Sequence, residues 1–306
     1  MVVVGFFVAM VAAAAEAYPR AIPSTRRPPA EMAEIVVERA GVELSGDETG
    51  EGVPVVLLHG LTATRRYVVM GSKHLERSGH RVVAYDARGH GRSSPAPVPA
   101  AYTYDDLGHD LEAVLDARQI ERAVLAGASM GAHTLLWLAL NAPARVAGLV
   151  VITPAYEPIS HDREGRFEYW DALADGLEHG GIDGFTAAAA RPGIPESWQE
   201  TVDNVTRQRL SQHSHLDAVA DALRAVPRSR PFAEISELAT ISVPVVVVAS
   251  ADEPDPGHPQ AVGEAYAAAI PGARLVLDEP GRSPIAWQGS QLSRLIADVA
   301  DEADAR

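Results

Sequence analysis

From residue 32 onward the alternation of apolar and polar positions falls into three regimes. In the first, short uninterrupted apolar runs are separated by amphipathic stretches. Val53–Leu58, residues 81–85, residues 123–125 and Val146–Ile152 are such runs, as expected of strands buried on both faces of a parallel sheet. Residues 66–78 and 104–118 between them predict helices, the second with Leu107, Leu111, Val114 and Leu115 on one stripe. Residues 35–39 and 42–44 predict a hairpin turning at Gly41. A polar loop is expected over 45–52 and a Gly- and Pro-rich loop over 87–101.

The second regime, residues 157–240, contains no buried strand run. It predicts helices broken by Gly and Pro, with Phe167, Trp170, Leu173 and Leu177 on one face. Trp198, Val202 and Val205 share a second face, and Leu216, Val219 and Leu223 a third. The third regime restores the alternation: a strand over 243–249, a helix over 259–270, a strand at Arg274–Leu277 and a closing helix carrying Leu292, Leu295, Ile296 and Val299. The whole predicts an α/β fold, a mostly parallel sheet with helices on both faces. A helical insertion (157–240) follows the sixth strand and divides the core into 32–156 and 241–306. The aromatics of the insertion are expected to pack it onto the core, some of them facing a ligand at the carboxyl ends of the strands.

Residues 1–31 do not fit this rhythm. They read as an N-terminal extension or leader outside the fold, with Met32 opening the working chain and a cytoplasmic location expected. The alternative is a signal peptide over residues 1–17, with the apolar run 2–15 as its core and Ala15-Glu16-Ala17 as a small-residue cleavage site, giving a secreted protein. A run of 14 residues is too short for a stable membrane span.

Composition changes the picture only by exclusion. The 306 residues carry 47% hydrophobic side chains and a formal charge of −15, a balance that argues against nucleic acid and anionic membrane as partners. There is no cysteine, so disulfides, thiolate nucleophiles and Cys-zinc sites are excluded. The single lysine, Lys73, among 26 basic residues reflects a GC-rich bacterial coding bias.

The candidate chemistry centres on Gly127-Ala128-Ser129-Met130-Gly131, which follows the 123–125 strand and precedes a helical run from Thr134 to Leu140. This G-x-S-x-G pattern suits a nucleophile elbow. Glycines two residues either side of the serine leave room for a sharp strand-to-helix turn, and the N–H of Met130 falls at a helix N-terminus where it can hold an oxyanion. With the strand ending in Leu58-His59-Gly60-Leu61 and the segment Asp86-Ala87-Arg88-Gly89-His90-Gly91-Arg92-Ser93, in this order and spacing, the chain resembles the α/β-hydrolase superfamily from Met32 to its C-terminus.

The resemblance implies an eight-stranded sheet, a cap over 157–240 and a Ser-acid-His triad in that chain order. It implies Ser129 as nucleophile and the N–H groups of Leu61 and Met130 as oxyanion donors. The acid is then Asp255, in Asp255-Pro256-Gly257-His258-Pro259, with Asp252 as the alternative because it lies at a better distance from the strand. His59 and His90 are expected to be structural. In Gly281-Arg282-Ser283-Pro284, Arg282 occupies the position of the usual histidine. Arginine stays protonated and cannot take the serine proton. His258 is the candidate substitute base, while His133 is expected to pack within the fold.

His213 and His215 form a His-x-His pattern without a third ligand in sequence, which reads as a solvated helix end. No metal or other cofactor is expected. Phe167 and Trp170 are candidate substrate-binding residues. The expected partner is a small apolar or aromatic carbonyl-containing molecule, anionic if Arg282 faces it. Two readings follow: a hydrolase of esters, lactones or similar carbonyl compounds with an unusual base, or a non-hydrolytic protein that uses the capped pocket to bind or to steer a reaction.

Overall fold

The computed structural model describes residues 32–189, 196–251, 257–277 and 287–306. Its eight strands are β1 (Ala33–Arg39), β2 (Val42–Thr49), β3 (Val53–Leu58), β4 (His80–Tyr85), β5 (Ala123–Ala128), β6 (Val146–Ile152), β7 (Val245–Ala249) and β8 (Arg274–Leu277). They form one sheet in the order β1-β2-β4-β3-β5-β6-β7-β8. The β1–β2 and β2–β4 pairings are antiparallel and the other five are parallel.

The apolar runs occupy the centre of the sheet because both of its faces are covered. Val56 and Leu58 of β3, Leu125 of β5 and Val245 and Val247 of β7 face one core layer, shared with α2 (Tyr104–Ala117), α3 (Met130–Asn141) and α7 (Gln260–Ala269). Val55 and Leu57, Val124 and Ala126, and Val246 and Val248 face the other, shared with α1 (His74–Arg77) and α8 (Gly289–Asp304). Period-two alternation thus divides β3, β5 and β7 between two apolar layers. Helix α2 begins with a capping box, in which the Thr103 hydroxyl accepts from the Asp106 N–H and the Asp106 carboxylate accepts from the Thr103 N–H.

Two expectations are corrected. The polar stretch after residue 44 is strand, not loop, since β2 continues to Thr49 and pairs with both β1 and β4. Its charges are satisfied by residues distant in sequence. Arg65 reaches Asp47 at 2.7 Å, while Arg81 and Arg118 both reach Glu48 at 2.5 Å. Residues 66–78 are not one helix: a 3₁₀ turn at Arg65–Tyr67 and the single turn of α1 are separated by Met70 and Gly71, both at positive φ (47° and 75°). No right-handed helix passes through two such residues.

Between β6 and β7 lie α4 (Glu168–Ala188), α5 (Glu196–Leu210) and α6 (Leu216–Ala225). Gly181, at φ 58° and ψ −147°, folds α4 back on itself. The two arms touch through glycines: a Cβ on Gly176 would lie 2.6 Å from the Gly184 carbonyl oxygen. The insertion has its own core of Leu173, Ala174, Leu177, Phe185, Leu210, Val219, Ala220 and Leu223. Among the described residues no helix is long and apolar enough to cross a membrane.

Candidate active site

Ser129 stands between β5 and α3 at φ 50° and ψ −110°. This is a conformation that a residue with a Cβ adopts only under constraint, at a cost on the order of 1–3 kcal/mol. The constraints are visible. The Ser129 N–H donates to the Ile152 carbonyl of β6 at 2.9 Å, and the Ser129 carbonyl accepts from the His133 N–H at 3.1 Å as α3 begins. A Cβ on Gly127 would meet the Gly131 carbonyl carbon at 2.4 Å, and one on Gly131 would meet the Leu58 carbonyl oxygen at 2.2 Å. Both elbow glycines are therefore fixed by backbone packing as well as by the turn.

Two further non-glycine residues at positive φ sit at neighbouring strand ends, Thr62 (66°) after β3 and Thr153 (44°) after β6. Strain gathered at the carboxyl edge of a parallel sheet is characteristic of a functional site. The loop after β3 lies directly against the elbow, since a Cβ on Gly60 would be 3.4 Å from that of Ser129. The Gly60 carbonyl accepts from the Ala63 N–H (3.0 Å) and contacts the His59 Nδ1 (2.8 Å). His59 Nε2 accepts from the Ala87 N–H at 2.9 Å, so the ring proton is on Nδ1 and is donated to Gly60. With that carbonyl turned into the loop, the N–H on the same trans peptide, that of Leu61, points the opposite way. Among the described residues no hydrogen bond takes up the Leu61 N–H. Met130 is the first residue of α3, where an N–H has no carbonyl one turn earlier to accept it.

The other histidines are held by the fold. His133 is buried, and its Nε2 accepts from the Ala155 and Tyr156 N–H groups (both 3.2 Å), so its Nδ1–H donates to the Tyr104 hydroxyl at 3.0 Å. Burial pushes its pKa down to about 3, with His258 adding to the effect. His258 itself is half-buried. His90 is buried between His59 and His213, at ring-centroid distances of 5.2 and 5.5 Å. Burial and its two histidine neighbours hold it well below the usual range.

His213 is not a solvated helix end. It is half-buried against the loops after β3 and β4, and its pKa is pushed down to about 4, chiefly by burial. Sequence gave no local signal for this, because its partners are more than a hundred residues away. No group of three or more His, Cys, Asp or Glu able to hold a metal occurs among the described residues.

These neutral histidines predict acid lability. An unfolded histidine protonates near pH 6.5, whereas His213 and His133 refuse the proton until about pH 4 and 3. Their contribution is complete above pH 6.5 and declines as pH falls from there towards 4, because only the unfolded chain gains protons in that window. His213 alone should account for about 2 kcal/mol of that decline. Urea midpoints measured from pH 7 to 4.5 should fall accordingly, and His213→Asn should flatten the slope.

Asp252, Asp255 and Arg282 lie outside the described residues. Trp170 packs, half-buried, against the insertion's own core, and Phe167 lies under the Arg228 guanidinium (4.8 Å to the ring centroid) with His161 at its edge. Asp86, which the sequence placed only in a turn, accepts from the Arg65 and Arg92 N–H groups (2.8 and 3.0 Å) and pairs with the Arg65 guanidinium, tying the loops after β3 and β4 together.

Known proteins resemble this chain in sequence and in overall fold. The chain is 29% identical over 224 residues to 3-oxoadipate enol-lactonase 1 of Acinetobacter baylyi, a match covering 72% of this chain and 79% of the relative. It is 31% identical over 220 residues to 2-hydroxy-6-oxononadienedioate/2-hydroxy-6-oxononatrienedioate hydrolase 2 of Pseudomonas putida, covering 68% and 74%. The crystal structure of a hydrolase from Pseudomonas aeruginosa PA01 superposes with a TM-score of 0.68 at 27% identity, over 89% of this chain and 97% of that one. Residues 53–289, from the first strand leading into the site to the start of the last helix, match the alpha/beta hydrolase fold family. With the family model spanning the sheet from β3 to the start of α8, and with Ser129 standing between β5 and α3 within it, the chain belongs to the α/β-hydrolase fold family.

Proposed function

We propose that this protein is a serine hydrolase of ester, lactone or similar carbonyl substrates. Ser129 acts as nucleophile, and the N–H groups of Leu61 and Met130 hold the developing oxyanion. The observation that carries the reading is the strained Ser129, at φ 50°, lying against a loop whose Leu61 N–H is turned out of its own hydrogen bonding. A backbone donor held ready in this way stabilises charge that forms only in the transition state. The enol-lactonase and the dienedioate hydrolase among its relatives act on carbonyl compounds by name, which supports the same substrate class.

The acid of the proposal is Asp255, with Asp252 as the alternative. His258 is the substitute base, since Arg282 holds the usual histidine position and cannot accept a proton. The proposed substrate is a small apolar or aromatic carbonyl compound, with Phe167 and Trp170 from the cap beside it and Arg282 favouring an anionic one. Incubation with a fluorophosphonate probe tests the nucleophile. Labelling of wild type that disappears in Ser129→Ala is expected, and absence of labelling, or labelling that survives the substitution, defeats the proposal.

Arg282 also favours a second reading, a non-hydrolytic protein that binds an anionic ligand in the capped pocket. Arg282→His separates the two. If p-nitrophenyl esters are cleaved only after that change, and then by about 10²-fold or more over wild type, as a positioned base contributes, the second reading gains. Ordinary turnover by wild type removes it.

A further inference from the structure

The turn between α5 and α6 carries a joint that neither the elbow nor the triad pattern accounts for. His213 Nδ1 accepts from the Gly91 N–H at 2.8 Å, a contact spanning 122 residues. Because that donor is a backbone amide, the ring proton is on Nε2. Nε2–H donates to the Thr62 carbonyl at 3.0 Å, across 151 residues. Next to it the Ser214 N–H donates to the Gly91 carbonyl at 2.8 Å. One imidazole in a single tautomer therefore bridges the loop after β3 and the loop after β4, and the adjoining amide fastens the same cap turn to the second loop.

The Thr62 carbonyl belongs to the residue after Leu61. The loop is gripped at both ends of the Leu61 unit. Upstream, Gly60 is held by His59 and by the Ala63 N–H from within the core; downstream, Thr62 is held by His213 from the cap. Thr62 stands at φ 66°, the reversal from which its carbonyl meets His213. The Leu61 side chain itself packs both on the sheet core and on the cap core.

We propose that His213 is a positioning residue for the oxyanion hole. By donating Nε2–H to the Thr62 carbonyl it sets the direction of the Leu61 N–H, so the hole is complete only with the α5–α6 turn of the cap seated. This rests on the reading of Leu61 as an oxyanion donor, and the test separates the two.

Three substitutions divide the functions of the ring. His213→Phe keeps the flat shape against His90 and removes both hydrogen bonds. An asparagine amide falls near Nδ1, so His213→Asn keeps an acceptor for Gly91; a glutamine amide reaches the Nε2 position, so His213→Gln keeps a donor for Thr62. The readouts are the maximal rate and half-saturation of fluorophosphonate labelling of Ser129. In the Ser129→Ala background, backbone hydrogen exchange of residues 60–64 is measured as well.

In His213→Phe the maximal labelling rate should fall about 30-fold with half-saturation little changed, less than the loss of a whole donor because the N–H is misdirected rather than removed. His213→Gln should recover to within about 3-fold of wild type, whereas His213→Asn should recover thermal stability and remain slow. Exchange over 60–64 should rise in the Phe and Asn variants and stay protected in Gln. Equal labelling rates in Asn and Gln, or a Phe variant with wild-type rate and wild-type exchange, would overturn the proposal. If wild type is not labelled at all, the hydrolase reading falls, and the clamp is decided by exchange alone: protection in Gln but not in Asn supports it, and identical protection in the two refutes it.

Discussion

Gly131→Ala should cost more than about 3 kcal/mol of stability and abolish labelling of Ser129, because the new methyl group would meet backbone that has nowhere to go. Its Cβ would stand 2.2 Å from the Leu58 carbonyl oxygen and 2.8 Å from that of His59. Those atoms end β3, which is paired with β4 on one side and β5 on the other. A cavity lined by Leu58, His59, Met130 and Gly131 among others holds only about 10 Å³ and cannot take a displaced peptide. Relief must come from moving β3 or from unwinding the first turn of α3, and either one moves one of the two proposed oxyanion donors, Leu61 or Met130. The expected result is a protein with a much lower urea midpoint, in which the folded fraction also fails to react with the probe. A variant that unfolds like wild type would show that the elbow is looser than its packing indicates.

Asp110→Ala should be comparably damaging, by about 3 kcal/mol, because it strips a buried cation of its bidentate partner. Arg88 is almost wholly buried, and its Nε and Nη2 reach the two carboxylate oxygens of Asp110 at 2.7 Å each; Nη1 donates to the Ala101 carbonyl at 2.7 Å. Asp106, at 3.3 Å from Arg88, and Arg39, at 3.4 Å from Asp110, extend the pair, but neither replaces Asp110 in the fork. Removing only the carboxylate leaves the buried guanidinium with the Ala101 carbonyl and the more distant Asp106, and with Nε and Nη2 stripped of their acceptors. Replacing both partners, as in Arg88→Met with Asp110→Leu, should recover most of the loss, since a buried pair contributes little net stability over apolar side chains of similar volume. Urea denaturation of the single and double variants measures the coupling directly, and a double variant as unstable as the single one would contradict it.

What the sequence made legible, and what it hid, follows from the range of each interaction. The elbow was readable because Gly127, Ser129 and Gly131 encode a backbone conformation within five residues, and β3, β5 and β6 because burial on two faces leaves an uninterrupted apolar run. The second half of β2 was hidden because its polar residues are satisfied by Arg65, Arg81 and Arg118, which no local pattern announces. The expected helix at 66–78 failed at Met70, a non-glycine residue whose positive φ no propensity foretells. His213 was misread for the same reason as β2. Two residues from His215, it resembles a surface pair, and only the folded chain brings Gly91 and Thr62 to its two nitrogens.

The separate apolar core of the cap has a consequence for how such a protein diversifies. Leu173, Leu177, Phe185, Leu210, Val219 and Leu223 pack chiefly on one another, while Ala218 and Ala222 on the same α6 join the sheet core and Leu61 touches both. Changes of volume on the side of α4 and α6 turned away from the sheet therefore disturb β3, β5 and the elbow less than changes at Ala218, Ala222 or Leu61. Selection can therefore vary the outer part of the insertion more freely than the sheet beneath it. The part of the insertion least free to vary is the short turn carrying His213, which bonds to the loops after both β3 and β4.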